Sequence, residues 1–350
     1  MVNKFLELFY YCRDYLLLNL NRRLDRHYIP DPFHSLTIET SSLCNLNCRF
    51  CAYEKKTQPR TVMSNEFFFD VIEQATQMGF RRFALTPLTG EVFMDKHFLE
   101  KIRYLDNHKL TQSYSFFTNF ILPNEEEILP LLQSKKMNEL VVSVYGHDED
   151  SFIRLTRSNA SSYKRLLDNL ETLIKHFGMC NASIEIGWRT YSHFTPKQNS
   201  RLIELMQTLR QKHHVRIRRS RIYNNWGGYI TPEDVKGFDI HVGGEKRVYK
   251  QGACAMIFYR RLVTAEGVVN ACACRDVDAT LRIGDLQTTP LREILSGRNG
   301  AYMALIEKQQ AGNFDPVCQN CDFYKSIYRY RSSYKKNKLT LMRLPDFRKK

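Results

Sequence analysis

Between Ser35 and Tyr223 the apolar residues switch repeatedly between the period of a strand and that of a helix. A strand at Ser35–Thr40, with Leu36 and Ile38 inward, is followed by four helix–strand pairs. They are Ser64–Met78 with Arg82–Thr86, Asp95–Asn107 with Ser113–Thr118, Asn124–Gln133 with Glu139–Val144, and Ser161–Phe177 with Ser183–Thr190. A further helix opens at Thr195–Pro196, where Thr195 caps, Pro196 suits the first turn and Gln198 completes a capping box. It leads to a strand from Val215 to Tyr223. Strands separated by helices are joined by right-handed crossovers and lie parallel. The expected fold class is therefore α/β: six parallel strands rolled into a partial (β/α)6 barrel rather than a closed eight-stranded one.

Outside that unit the pattern changes. Lys4–Arg26 reads as an amphipathic helix, with Phe5, Leu6, Phe9, Leu16, Leu17 and Leu20 apolar, and Pro30 and Pro32 end it. After Asn224–Gly228 the alternation stops. From Cys254 the chain becomes cysteine-rich and hairpin-like, with Leu262–Thr264 and Val268–Ala271 flanking the turn Ala265–Gly267. Four regions are expected: an N-terminal helix (1–34), the α/β core (35–236), a small cysteine-rich domain (237–323) and a basic tail (324–350).

Lys and Arg number 52 against 37 Asp and Glu, a formal charge of +15, which favours an anionic substrate, nucleic acid or an acidic membrane surface. Glu7, Arg13 and Asp14 interrupt Met1–Leu20, so it does not read as an export signal. No apolar run of about 18 residues offers a transmembrane helix. The expected location is cytoplasmic, peripheral to a membrane at most. Thiols there stay reduced, so clustered cysteines read as metal ligands before disulfides.

The first cluster is Cys44-Asn-Leu-Asn-Cys48-Arg-Phe50-Cys51, in the loop directly after the first strand. Three thiolates can hold three corners of a four-iron cubane, leaving one iron open for chemistry. A structural zinc is the alternative, but it wants a fourth Cys or His, and His34 is poorly placed. On this C-x3-C-x2-C loop the chain resembles the radical SAM superfamily, from about Ser35 to Tyr223. The resemblance implies a [4Fe-4S] cluster on Cys44, Cys48 and Cys51 that binds S-adenosylmethionine, cleaves it reductively and releases a 5′-deoxyadenosyl radical, which abstracts hydrogen from substrate. It also implies cofactor contacts at Phe50 beside the adenine, Gly90 and Glu91 for the methionine ammonium, Asn119 and Ser143 at strand ends, and Arg157 for the carboxylate. In Thr89-Gly90-Glu91-Val92 the family's flanking Gly and Pro are replaced by Thr89 and Val92. An electron donor such as flavodoxin or ferredoxin is implied as a partner.

The second set is Cys254, Cys272, Cys274 and the knuckle Cys318-Gln-Asn-Cys321. Cys272 and Cys274, placed on the outgoing hairpin strand, would face one side of it. With Ile283–Leu286 and a helix at Leu291–Ser296, this segment resembles the SPASM/twitch extension of radical SAM enzymes. A complete SPASM domain has seven cysteines. Five here imply one auxiliary [4Fe-4S] cluster on Cys254, Cys272, Cys318 and Cys321, with Cys274 the competitor for the second position. Four thiolates also suit tetrahedral zinc. Cys12 and Cys180 have no ligand-spaced neighbour.

Arg216 and Arg218 share one face of the sixth strand and Arg219 and Arg221 the other, so one pair can point into the barrel toward a phosphate or carboxylate; a solvated edge strand is the alternative. Tyr324, Tyr328, Tyr330 and Tyr334 among the basic residues of the tail suit nucleic acid or lipid headgroups, or a solvated tail. The N-terminal helix suits a membrane surface or a lid across the barrel. About 34 residues precede the first strand, too few for a leader-peptide-binding domain. The expected substrate is thus an anionic carbohydrate, lipid-linked or other small molecule. A peptide-modifying maturase is the alternative within the resemblance, and a nucleic-acid-binding protein with structural metals is the alternative of another class.

Overall fold

The computed structural model describes residues 2–85, 88–195, 200–243, 248–329 and 341–349, with side chains from residue 8 onward. Its helices, in chain order, begin with α1 (Val2–Arg23), α2 (Asn65–Gln77), α3 (Phe98–Asn107), α4 (Glu125–Leu132), α5 (Glu149–Thr156), α6 (Ala160–His176) and α7 (Arg201–His213). Its strands are β1 (Ile29–Pro30), β2 (Leu36–Ile38), β3 (Arg82–Ala84), β4 (Ser113–Thr118), β5 (Met137–Tyr145), β6 (Ser183–Arg189), β7 (Arg216–Ser220), β8 (Ile222–Tyr223), β9 (His241–Val242), β10 (Leu262–Val263), β11 (Val268–Asn270), β12 (Arg282–Asp285) and β13 (Leu341–Met342).

Strands β2 to β7 pair in sequence order and all in parallel, as the alternation requires. Leu36 and Ile38 are fully buried, and so are Phe68, Val71 and Ile72 of α2. Local signals start the helices: the Ser64 side chain caps α2, and Asn124 with Glu127 forms a reciprocal capping box on α4. The cysteine-rich part adds to the same sheet. β10 lies parallel to β2, and the β10–β11–β12 meander is antiparallel, giving nine strands in the order β12-β11-β10-β2-β3-β4-β5-β6-β7.

Several expectations are corrected. Helix α7 begins at Arg201 with Ser200 as its cap, not at Thr195; Pro196 and Gln198 lie outside the described residues, as does Thr86. The strand expected over Val215–Tyr223 divides: β7 stays at the barrel edge, and β8 leaves to pair with β9. Cys272 and Cys274 follow the end of β11 in a bent loop rather than sharing a strand face. Helix α5 was not anticipated. The tail folds back on the body: Tyr324, Tyr328, Leu344 and Phe347 are buried, and β13 pairs with β1. Tyr324 and Tyr328 are therefore spent on packing and cannot form an aromatic ladder for nucleic acid; Tyr330 and Tyr334 lie outside the described residues.

Candidate active site

β2 runs straight into the loop carrying Cys44, Cys48 and Cys51, and backbone hydrogen bonds hold that loop. Asn47 and Arg49 donate their N–H groups to the carbonyls of Thr156 (3.1 Å) and Leu155 (3.0 Å). These are the last carbonyls of α5, which would otherwise lack partners. The Cys44 N–H reaches the Tyr53 hydroxyl at 3.1 Å. Trp226, from the Asn224–Gly228 turn, donates its indole N–H to the Phe50 carbonyl at 3.0 Å. The Phe50 ring packs on Tyr145 and Tyr223, with centroids 5.3 and 4.8 Å away.

The three thiols share one buried environment. Burial, then the neighbouring Cys51 and Cys44, pushes the Cys48 thiol well up, while the Arg189 guanidinium pulls it down. Burial carries Cys51 up to about 11, again opposed by Arg189. Cys44 is raised by burial and by the Glu91 carboxylate. Without metal these thiols hold their protons, which metal binding would release. Among the described residues, no three His, Cys, Asp or Glu side chains close tightly enough to hold a single metal ion. The donor set itself is soft, all thiol, which suits an iron–sulfur cluster. Within the loop the buried Asn47 Oδ1, and on the segments flanking it Thr40 Oγ1 and Thr89 Oγ1, have no hydrogen-bond partner, so the site has polar capacity to spare for a cofactor.

Glu91 sits beneath this loop. Its N–H donates to the Leu43 carbonyl at 2.7 Å. Its carboxylate accepts from Thr118 Oγ1 (2.7 Å), the Asn119 N–H (2.6 Å) and the Phe93 N–H (3.3 Å). Burial nevertheless pushes the carboxyl up to about 7. Asn119 joins the group by donating its amide to Asn45 at 2.8 Å, and the turn after it is clamped by Asn169, whose amide points at the carbonyls of Phe120 and Pro123, both 2.8 Å away. Ser143 lies on the same inner face, opposite Gly187 of β6. Gly90 precedes Glu91 at the end of the loop after β3. Phe50, Gly90, Glu91 and Asn119 therefore gather around the cysteine loop, with Ser143 across the face. Arg157 stands apart: it closes α5 in a left-handed conformation at φ 53° and pairs with Glu54, which also receives the Asn47 amide.

Sequence reasoning missed Arg189, Tyr145, Tyr223 and Trp226. Arg189 and Tyr145 end neighbouring strands in register, a position that marks the mouth of a barrel. Two steps down the same face, past Gly187, Glu185 is buried and receives both Arg216 and, at 2.7 Å, Arg218. Their side chains remain 72% and 63% exposed, so this pair faces inward and is also solvated, as the open edge of a partial barrel allows. Arg219 points outward, lying over Trp188 and Phe194 and donating to the Tyr191 carbonyl at 2.9 Å.

The second set of thiols gathers around the loop after β11 and the Cys318–Cys321 knuckle. Cys318 lies in the electrostatic field of Cys272, Cys254 and Cys321, and Cys321 in that of Cys272. The thiol of Cys274 shares a hydrogen bond with the Cys272 thiol and lies in the field of Arg260 and Arg275, and its N–H donates to Cys272 Sγ at 3.4 Å. The arrangement thus centres on Cys254, Cys272, Cys318 and Cys321, with Cys274 alongside. Gln309, fully buried and not anticipated, bridges the set: its carbonyl accepts from the Cys254 N–H at 2.8 Å and its amide reaches Cys318 Sγ at 3.6 Å. Lys250 donates to the Cys318 carbonyl at 2.6 Å. An open cleft of 580 Å³ beside Cys321 is lined by Tyr11, Lys250, Asn320 and Asp322. A second cavity of 420 Å³, between the cysteine loop and the hairpin, is lined by Glu39, Lys56, Glu266, Asp276 and Asp278. Cys12 is exposed and Cys180 half-buried, away from both sets in sequence.

The profile of the radical SAM superfamily matches residues 38–184, and that of the SPASM iron–sulfur cluster-binding domain matches residues 254–322. No curated protein matches the chain significantly. Among solved structures, BtrN in complex with AdoMet and 2-DOIA is similar at a TM-score of 0.53 and 14% identity, over 83% of this chain and 93% of that one. SuiB of Streptococcus suis bound to precursor peptide SuiA has a TM-score of 0.54 at 12% identity, over 85% of this chain and 72% of that one. Native anSMEcpe with bound AdoMet has a TM-score of 0.53 at 16% identity, over 86% of this chain and 95% of that one. At such identities the likeness is one of fold.

Proposed function

The chain belongs to the radical SAM superfamily and carries a SPASM-type iron–sulfur domain, and from that premise we propose an enzyme that removes a hydrogen atom from an anionic carbohydrate, lipid-linked or other small-molecule substrate. When bound, the [4Fe-4S] cluster and S-adenosylmethionine supply a 5′-deoxyadenosyl radical, and the protein binds, orients and excludes water.

In this reading Cys44, Cys48 and Cys51 would hold the [4Fe-4S] cluster, and three thiolates would leave it able to bind the cofactor. Phe50, fixed by Trp226 and wedged between Tyr145 and Tyr223, forms the wall for the adenine. The Glu91 carboxylate receives the ammonium group, with Gly90 allowing close backbone approach. Asn119 and Ser143 supply polar contacts at strand ends. Arg157 would have to exchange its Glu54 partner to reach a carboxylate, and Arg189, already beside the thiols, is the better-placed cation. Cys254, Cys272, Cys318 and Cys321 would hold the auxiliary [4Fe-4S] cluster, which would supply an electron-accepting centre, and a flavodoxin- or ferredoxin-like protein would be the electron donor.

The anionic character of the substrate rests on one observation. On the inner face of β6 and β7, three guanidinium groups, Arg189, Arg216 and Arg218, stand against the single carboxylate of Glu185, leaving an excess of positive charge at the open edge.

Anaerobic reconstitution should yield iron and acid-labile sulfide for two clusters, and reduction with S-adenosylmethionine should release 5′-deoxyadenosine. Cys48→Ala should lose that release; unchanged cleavage in this variant would overturn the assignment.

A further inference from the structure

Helix α1 presents its apolar side to solvent. Its packing on the body is thin. Leu18 and Asn21 are its buried residues among those with described side chains. Asn21 donates to the Tyr328 carbonyl at 2.8 Å, Asn19 to the Tyr249 hydroxyl at 2.7 Å, and Tyr11 and Tyr15 meet the Tyr249 ring edge-on. On the far side, Phe9, Leu16, Leu20 and Leu24 are 57, 68, 52 and 49% exposed. With Cys12 they recur every three or four residues, which places them on one stripe roughly 22 Å long at the helical rise. Of the 13 large hydrophobic residues exposed among the described residues, eight fall between Leu8 and Leu24, and Phe9, Leu16, Leu20 and Leu24 among them share this stripe, so the exposed apolar surface is concentrated on α1 rather than scattered. A helix serving only to cover a core would turn this face inward.

Charge identifies what covers it. Arg22, Arg23 and Arg26 are exposed where the helix ends, and the whole chain carries +15. Two copies meeting on this face would bring like charges together, whereas an anionic surface would be drawn in. Tyr10, half exposed, has the apolar body and polar tip that suit a headgroup layer. No helix among the described residues is long and apolar enough to cross a bilayer. We propose that α1 is a membrane-surface anchor, laying its Phe9–Leu24 stripe into the headgroup region of an anionic lipid bilayer with the arginines toward the phosphates.

The test is flotation of the full-length protein with phosphatidylcholine vesicles containing about one-third phosphatidylserine, and with phosphatidylcholine alone, at low and high salt. The chain should float with the anionic vesicles, less so at high salt, and bind neutral vesicles weakly. Leu16→Glu/Leu20→Glu, both on the exposed side, should cut binding at least tenfold while far-ultraviolet circular dichroism and melting temperature stay as in the parent. Failure of the parent chain to bind anionic vesicles at low salt overturns the proposal. So does binding that the double variant leaves intact. A parent dimer that the variant turns into a monomer, without vesicle binding, would assign the stripe to a second copy instead.

Discussion

Replacing Glu91 by Gln isolates the role of one buried charge. The carboxyl is pushed from its ordinary 4.5 up to about 7 because burial outweighs the hydrogen bonds from Asn119, Thr118 and Phe93. The native chain therefore holds this proton more tightly than the unfolded chain does. Stability contributed by the protonated form is complete below pH ~4.5, declines as pH rises, and is gone above about pH 7. At ~1.4 kcal/mol per pH unit, the ionised group costs the folded state about 3 kcal/mol at pH 8. Gln keeps the shape and can accept from Asn119 while turning its amide toward the Thr118 hydroxyl. Thermal unfolding of the anaerobic protein between about pH 5 and about pH 8 should show a decline with pH in the parent that Glu91→Gln lacks, with the variant the more stable at the alkaline end. The same change removes the acceptor proposed for the cofactor's ammonium. A hydrogen bond to a charged group contributes about 1.5–3 kcal/mol, so affinity for S-adenosylmethionine should fall roughly 10- to 100-fold by anaerobic calorimetry, with iron content unchanged. Parallel pH curves would refute the electrostatic argument, and unchanged affinity would refute the assigned contact. The two outcomes are independent.

Three further changes probe other parts of the molecule. Lys101 and Asp95 form a fully buried ion pair at 2.6 Å, so Lys101→Met should destabilise by about 3–5 kcal/mol in thermal or urea unfolding, and Lys101→Met/Asp95→Leu should recover most of it. Asn169→Asp sets a carboxylate against the carbonyls of Phe120 and Pro123; a loss of at least about 2 kcal/mol is expected, and a stable variant would mean the clamp carries no weight. Cys272→Ala should lose the iron of the auxiliary set while Cys274→Ala keeps it, as read by iron analysis and electron paramagnetic resonance; the reverse result would exchange their roles.

The barrel was readable in the sequence because helix and strand periods alternate with clear caps, such as Ser64 and Asn124. The thiol sets were readable because their spacing is local. What escaped depends on tertiary context. Helix α5 is short and starts in acidic residues, although Asp148 with Ser151 forms a capping box that could have revealed it. Its contribution, two carbonyls holding the Cys44–Cys51 loop, exists only in three dimensions. Gln309 lies nine residues from Cys318 and 55 from Cys254, so no local pattern links it to either. The tail's charge masked Ile327, Leu344 and Phe347, which are buried. Arg216 and Arg218 were placed on one face by alternation, but only the register with β6 shows that this face is also that of Glu185 and Arg189.

The pairing of β10 with β2 has a mechanical consequence. The strand that delivers the first thiols and the hairpin that precedes Cys272 are laced together by the Thr37 N–H on the Arg261 carbonyl (3.1 Å) and the Glu39 N–H on the Val263 carbonyl (2.9 Å). Sliding one domain away from the other would tear that ladder. The distance between the two cysteine groups is therefore held by the backbone along this ladder, like the span of a bridge.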